Sequence, residues 1–176
     1  MIHPILLYGD PVLEQTSGDI PKNFPELLEL VDDMYETMHK ANGVGLSAIQ
    51  IGIPYRIFVI EAHLDDFNFR DIFINPYIKR EWGDKVKHAE GCLSVPQLTA
   101  LVERQESIEL EYYDLKWEKH VKTFSGFEAR IIQHEYDHLQ GKLYIDRLDK
   151  MWRAALETPL QLIKDREIEI PYLWKR

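Results

Sequence analysis

Gln133-His134-Glu135-Tyr136-Asp137-His138-Leu139-Gln140-Gly141 sets two imidazoles four residues apart, with a carboxylate beside the first. On a helix, such residues lie one turn above each other, about 6 Å along the axis, so both rings can face one ion. Glu135 then stands to the side of that ion, placed to take a proton from water activated there, which is the mechanical content of the HExxH pattern. The same residues also read as two ordinary helix histidines beside a surface glutamate. A third donor separates the two readings. The helix carrying them spans about Gly126 to Gln140 and is closed by Gly141, with Phe127, Ile131, His134 and His138 as its inward stripe.

Catalytic metal sites generally fill three positions with protein ligands and leave one open. No histidine follows His138, and Gly141 comes too early for the continuation that supplies a third histidine to many metalloproteases. The acids downstream, Asp146, Asp149, Glu157, Asp165, Glu167 and Glu169, stand in no recognisable ligand context. Upstream, Cys92 is the only cysteine, within Glu90-Gly91-Cys92-Leu93-Ser94-Val95-Pro96, an extended or turning stretch bounded by Gly and Pro. A lone cysteine is most often a small buried hydrophobe. Paired with HExxH it becomes a thiolate ligand, and its soft sulfur suits iron(II), zinc, cobalt or nickel rather than magnesium or calcium.

These segments, together with Gly43-Val44-Gly45-Leu46-Ser47-Ala48-Ile49-Gln50, resemble the three motifs of the peptide deformylases, in that family's order. The opening Ile5-Leu6-Leu7-Tyr8-Gly9-Asp10-Pro11-Val12-Leu13 is similar to the family's usual start, so the resemblance runs over nearly the whole chain. It implies a metallohydrolase that removes the formyl group from the N-terminal formyl-methionine of new polypeptides and releases formate. Cys92, His134 and His138 would hold one divalent ion, Fe2+ first, with Zn2+, Ni2+ or Co2+ also accepted. Glu135 would be general base and then acid, while the Gln50 amide and the Leu93 backbone N–H would face the developing oxyanion. Gly43 and Gly45 would offer bare backbone to an extended peptide, and Val44, Gly91, Phe127, Ile131 and His134 would border the substrate. Glu90 and Arg104 form the best supporting pair beside Cys92. Four positions depart from the pattern: Ser47, where the family more often has alanine; His88, often apolar beside the methionine pocket; Gln97, after Pro96; and Thr99.

At 176 residues the chain reads as one catalytic domain, residues 1–176, able to remove roughly 70% of its unfolded surface from water. No run approaches the ~18 apolar residues of a membrane span, and Ile5-Leu6-Leu7 carries no basic leader, so a cytoplasmic protein is expected. A ligating free cysteine also points to a reducing compartment. The net charge of -9 argues against a broad nucleic-acid face and leaves a transient ribosome contact to a local patch. Expected partners are therefore formyl-Met nascent peptides, with no membrane and no sequence-specific nucleic acid.

The apolar spacing of Leu27, Leu28, Val31, Met34, Tyr35 and Met38 predicts a helix over Pro25 to Ala41, with Asn23 as cap and Asn42-Gly43 as stop. Strands are expected at Arg56 to Ile60, Asp71 to Asn75, Ser107 to Tyr112 and Lys119 to Phe124. A helix near Asp149 to Lys164 is broken at Pro159, and Ile168 and Ile170 alternate with Glu167 and Glu169 in a strand-like C-terminal tail. The fold class is α+β, antiparallel or mixed sheets around a central HExxH helix. A zinc endopeptidase and a noncatalytic structural metal site are the rival readings. The first lacks a downstream ligand, and the second would need a fourth protein ligand that a single cysteine and Glu135 do not suggest.

Overall fold

The computed structural model describes residues 1–64 and 67–175. Helix α1, Leu27–Lys40, buries Leu30, Val31, Met34, Tyr35 and Met38. It starts two residues later than the spacing predicts and without Asn23 as cap. Pro25 disfavours helical backbone at Phe24, the Phe24 N–H instead closes a turn onto the Pro21 carbonyl at 2.9 Å, and Glu26 enters the helix in the left-handed region at φ 64°. At the other end Asn42 takes the left-handed position at φ 55°, and the Gly43 N–H reaches back to the Met38 carbonyl at 2.9 Å.

Five antiparallel strands follow in chain order as one meander: β1 Gly45–Ser47, β2 Ile57–Leu64, β3 Phe67–Cys92, β4 Val95–Tyr113 and β5 Lys119–Ser125. A 3-10 turn, Ala48–Ile51, links the first two. The ladder is one antiparallel sheet, and parallel pairing occurs among the described residues only at the isolated bridges Ile5 to Trp174 and Gly18 to Tyr55. All four strand segments expected from sequence lie in or overlap this sheet. Their neighbours run much further, because Tyr77 to Gly91 pairs with β4 through several register shifts. That stretch shows no apolar alternation. It holds its place through the ladder itself and through cross-strand pairs such as Lys79 with Glu111 at 3.5 Å and Arg80 with Glu109 at 3.6 Å.

Helix α2, Gly126–Leu139, lies centrally as predicted. Residues 57–60 of β2 and 72–74 of β3 are buried on both faces: Ile57, Val59, Ile72 and Ile74 meet α1, while Phe58, Ile60 and Phe73 meet α2 through Ala129, Ile131 and Ile132. Burial on two faces explains why Ile57 to Ile60 is apolar without interruption. The chain then forms α3, Lys150–Ala155, and α4, Glu157–Lys164. The break falls at Leu156 rather than at Pro159. A proline ring clashes with the carbonyl four residues earlier, here Ala155, and Pro159 itself sits in the first turn of α4, where no N–H is required. Beyond α4 the tail is extended, with Ile168, Ile170, Tyr172 and Trp174 packed on a third core that includes Leu7, Val95, Leu143 and Ile163.

Gly141 terminates α2 at φ +68°, and a Cβ there would overlap the carbonyl group of Glu14. Gly141→Ala should therefore destabilise the protein by more than about 1 kcal/mol, read as a lowered urea midpoint. Gly18→Ala, where an added Cβ meets nothing within 4 Å, should stay within about 0.5 kcal/mol of the parent.

Candidate active site

Strand β3 ends at Cys92, and Leu93 and Ser94 make the tight turn that brings Val95 back opposite it. The hairpin tip thus delivers the sulfur to the face of α2 that carries the histidines. The donor atoms of Cys92, His134 and His138 lie within 4.8 Å of one another, with Cys92 Sγ 3.3 Å from His138 Nε2. His134 turns Nδ1 to Glu90 Oε2 at 3.0 Å, which leaves its Nε2 for an ion.

The electrostatics suit a cation. Burial, with the neighbouring His134, holds His138 well below the usual imidazole range, so it is the neutral ring that ligation needs. Burial also pulls His134 down, yet its hydrogen bonds to the Cys92 sulfur and to Glu90 outweigh that and push it up to about 10. The space between sulfur and rings favours positive charge, and a divalent ion meets that demand as a proton does. His138 Nδ1 is buried and has no hydrogen-bond partner among the described residues. A second cluster, Asp114, Glu118 and His120, is a capped turn: Asp114 accepts from the backbone of Lys116 and Glu118 and contacts His120 Nε2 at 2.9 Å.

Glu135 is buried beside the histidines. Ser47 Oγ lies 2.8 Å from its Oε2 and 2.9 Å from its backbone carbonyl. Its other oxygen rests against Gly45, where a Cβ would overlap it. Burial pushes the Glu135 carboxyl upward in pKa, only partly offset by His134 and Ser47. Gln50 closes the site from the 3-10 turn. Its Oε1 accepts from the Ser47 N–H at 2.9 Å, and its Nε2 points to Ser94 Oγ at 3.0 Å and Cys92 Sγ at 3.5 Å. One end of the amide caps backbone, which orients the other end into the site.

A cavity of about 610 Å³ opens from these groups, and Val44, Gly45, Gln50, Gly91, Cys92 and Leu93 line it on one side. Phe127, Ile131, His134 and Glu135 line it from α2, while His138 stands behind. Gln97 and Thr99 also border it. His88 does not: it is exposed and borders a separate smaller space with Phe127 and Arg130.

The Glu90–Arg104 pair forms, and Arg104 is buried. Arg104 donates to both Glu90 oxygens at 2.6 and 2.8 Å and to Asp137 at 2.8 Å. Arg130 donates to Glu90 at 2.6 Å and to the carbonyls of Val102 and Val86. Arg147 completes the network by gripping Asp137 at 2.5 and 2.7 Å. Burial would raise Glu90, yet Arg104 and His134 hold it well below the usual carboxylate range. The parts sequence reasoning missed are Asp137, Arg147 and the Ser47 contact. Asp137 carried a faint signal, since it lies three residues from His134 and so shares the helix face that packs toward the hairpin.

A family model for polypeptide deformylase matches residues 2–154. The chain is 43% identical to a peptide deformylase of Christiangramia forsetii, with 98% of this chain and 94% of that one aligned. It is 41% identical to one of Cytophaga hutchinsonii, over 99% and 97%. The solved peptide deformylase of Thermus thermophilus superposes with a TM-score of 0.86 at 39% identity, covering 94% of this chain and 99% of that chain. That of Ehrlichia chaffeensis in complex with actinonin gives 0.86 at 32% identity, over 96% and 99%.

Arg104→Met should cost about 3–5 kcal/mol, the usual effect of stranding a buried charge, measured by denaturant unfolding. A cost below about 1 kcal/mol would show that Arg130 and Arg147 suffice. Because the Glu90 pKa is depressed on folding, its stabilisation is present above the unfolded value of 4.5 and is lost as pH falls below it. Glu90→Gln should be less stable than the parent at pH 7 and lose less on acidification.

Proposed function

The chain belongs to the polypeptide deformylase family, and from that membership we propose how its own residues remove the formyl group from the N-terminal formyl-methionine of new polypeptides. It is a metal-dependent hydrolase. The observation that carries the assignment of roles is the convergence of Cys92, His134 and His138 within 4.8 Å, with Glu135 and Gln50 at the same end of one cavity.

Cys92, His134 and His138 would hold the ion. Bound there, a divalent cation supplies Lewis acidity that makes water a usable nucleophile near neutral pH. Glu135 accepts the proton of the attacking water and passes it to the departing amine. Its raised pKa suits both halves of that exchange, and Ser47 with Gly45 keeps its carboxylate in one orientation. The Gln50 amide and the Leu93 N–H donate to the formyl oxygen as its charge develops, which favours the transition state over the ground state. Val44, Gly45 and Gly91 border the extended substrate, and Phe127 and Ile131 bound the methionine side chain.

The donor set of one sulfur and two imidazoles accepts Fe2+, Zn2+, Ni2+ or Co2+, and family membership supports Fe2+ as the first of them. Residues 1–176 act as one catalytic domain. No helix among the described residues is long and apolar enough to cross a membrane. A ligating free cysteine supports a cytoplasmic site of action, and a nascent-chain substrate supports transient contact with the ribosome.

Glu135→Gln should keep fold and metal and lose nearly all formate release from a formyl-Met peptide, since the amide preserves shape and cannot accept the proton. Wild-type turnover in that variant would exclude the proton-transfer role. Cys92→Ala, dialysed and analysed for metal, should lose most of its ion.

Gln50→Leu should lower the saturating rate by roughly 10² to 10³, the effect of removing one oxyanion donor. A change confined to KM would make Gln50 a ground-state contact.

A further inference from the structure

The cavity that begins at Glu135 and His134 does not end on the sheet. Ile170, Pro171 and Tyr172 of the C-terminal tail also line it. The tail makes no ladder, yet it is fastened along its length. Arg166 Nη1 donates to the Tyr8 carbonyl at 2.9 Å, and Gln97 Nε2 donates to the Glu169 carbonyl at 2.8 Å. The backbone of Ile5 then brackets Trp174, donating to the Leu173 carbonyl and accepting from the Lys175 N–H, both at 3.0 Å. Between these anchors the Tyr172 hydroxyl donates to the Leu93 carbonyl at 2.7 Å, one residue from Cys92. A segment tied before, within and after the cavity is a fixed surface.

The chemistry of that surface is apolar. Ile170, Pro171 and the Tyr172 ring line the cavity together with Leu98 and Val95, whereas its charged residues come from other elements, Glu90 from β3 and Arg130, His134 and Glu135 from α2. The polar atoms nearby are already engaged, the Tyr172 hydroxyl by Leu93 and the Gln97 amide by Glu169. Strand β1 is an outer strand of the sheet, paired only with β2, so an extended peptide can run along Gly43 to Gly45 and leave toward the tail. An extended residue advances about 3.3 Å. Because Tyr172 is bonded to Leu93, next to Cys92, the residues that follow methionine in a peptide whose formyl group lies at Cys92 and Gln50 are the ones within reach of the tail.

We propose that Ile170, Pro171 and Tyr172 form a wall of the peptide groove that selects apolar side chains within the two residues following formyl-methionine. The proposal rests on the deformylase reading of the site and adds to it a substrate preference set by the tail.

Formate release from formyl-Met-X-Ala and formyl-Met-Ala-X, with X as Ala, Leu, Phe or Asp, tests it in the full-length metal-loaded protein. At one of the two positions, Leu or Phe should exceed Ala in kcat/KM by about tenfold, the discrimination available from burying a few methylenes, and Asp should fall below Ala. Ile170→Ala and, separately, Tyr172→Ala should bring that ratio close to one while formyl-Met-Ala-Ala is still turned over. Leu173→Ala, on the outward side of the same tail, should leave the ratio unchanged, which separates contact from general loosening. Equal rates for all X in the native protein, or an unchanged ratio in both Ile170→Ala and Tyr172→Ala, would overturn the wall and leave the deformylase reading intact. No formate from any formyl-Met peptide would overturn both.

Discussion

The Glu90 carboxylate sits inside the protein and receives Arg104 from β4, Arg130 and His134 from α2, all at 3.0 Å or less. A lone buried carboxylate would cost several kcal/mol, and three donors in good geometry offset that cost. Because those donors come from the returning strand and from the central helix, satisfying the charge fixes the hairpin tip against α2. Cys92, two residues on, can face the histidines only while that arrangement holds. Asp137 extends the same logic to the end of α2, where Arg104 and Arg147 share it. Two carboxylates thus meet three guanidiniums.

This network also decides the chemistry of the histidines. Glu90 accepts from His134 Nδ1 and so sets the tautomer that presents Nε2 to an ion. His138 has no such acceptor and is held neutral by burial. The two rings, one turn apart on one helix, therefore differ through their surroundings alone. Glu135 differs again, since it is buried with no guanidinium among the described residues hydrogen-bonded to it, and burial moves its pKa upward. Three adjacent or nearly adjacent groups are assigned separate tasks by what lies around them.

Small residues near Glu135 make room for its carboxylate. Gly45 admits the Glu135 carboxylate where any side chain would collide, and Ser47 supplies a hydroxyl at the opposite oxygen. A hydroxyl has one proton, so Ser47 serves either the side-chain oxygen or the backbone carbonyl at a given moment. Gln50 binds the Ser47 N–H with the oxygen end of its amide, so the strand that holds Glu135 is tied directly to the 3-10 turn that carries Gln50.

Much of this was legible in sequence because it depends on the local geometry of single elements. The i, i+4 spacing of His134 and His138, the stop at Gly141, the alternation of Ser107 to Tyr112 and that of Ile168 and Ile170 in the tail are each set by one helix or one extended segment, and each reappears in the structure. The chemical types of Cys92, His134, His138 and Glu135 likewise stated the chemistry before any fold was known. What depends on where a distant segment lands was not legible. The Ser47 to Glu135 contact joins residues 88 apart in the chain and Cys92 to His138 residues 46 apart. Arg104 looks the same in sequence whether solvated or buried, and the paired but unpatterned Tyr77 to Gly91 shows no periodicity to read. Periodicity records the face a residue turns within its own element, whereas pairing of charges and closing of the cavity are decided only when the elements pack.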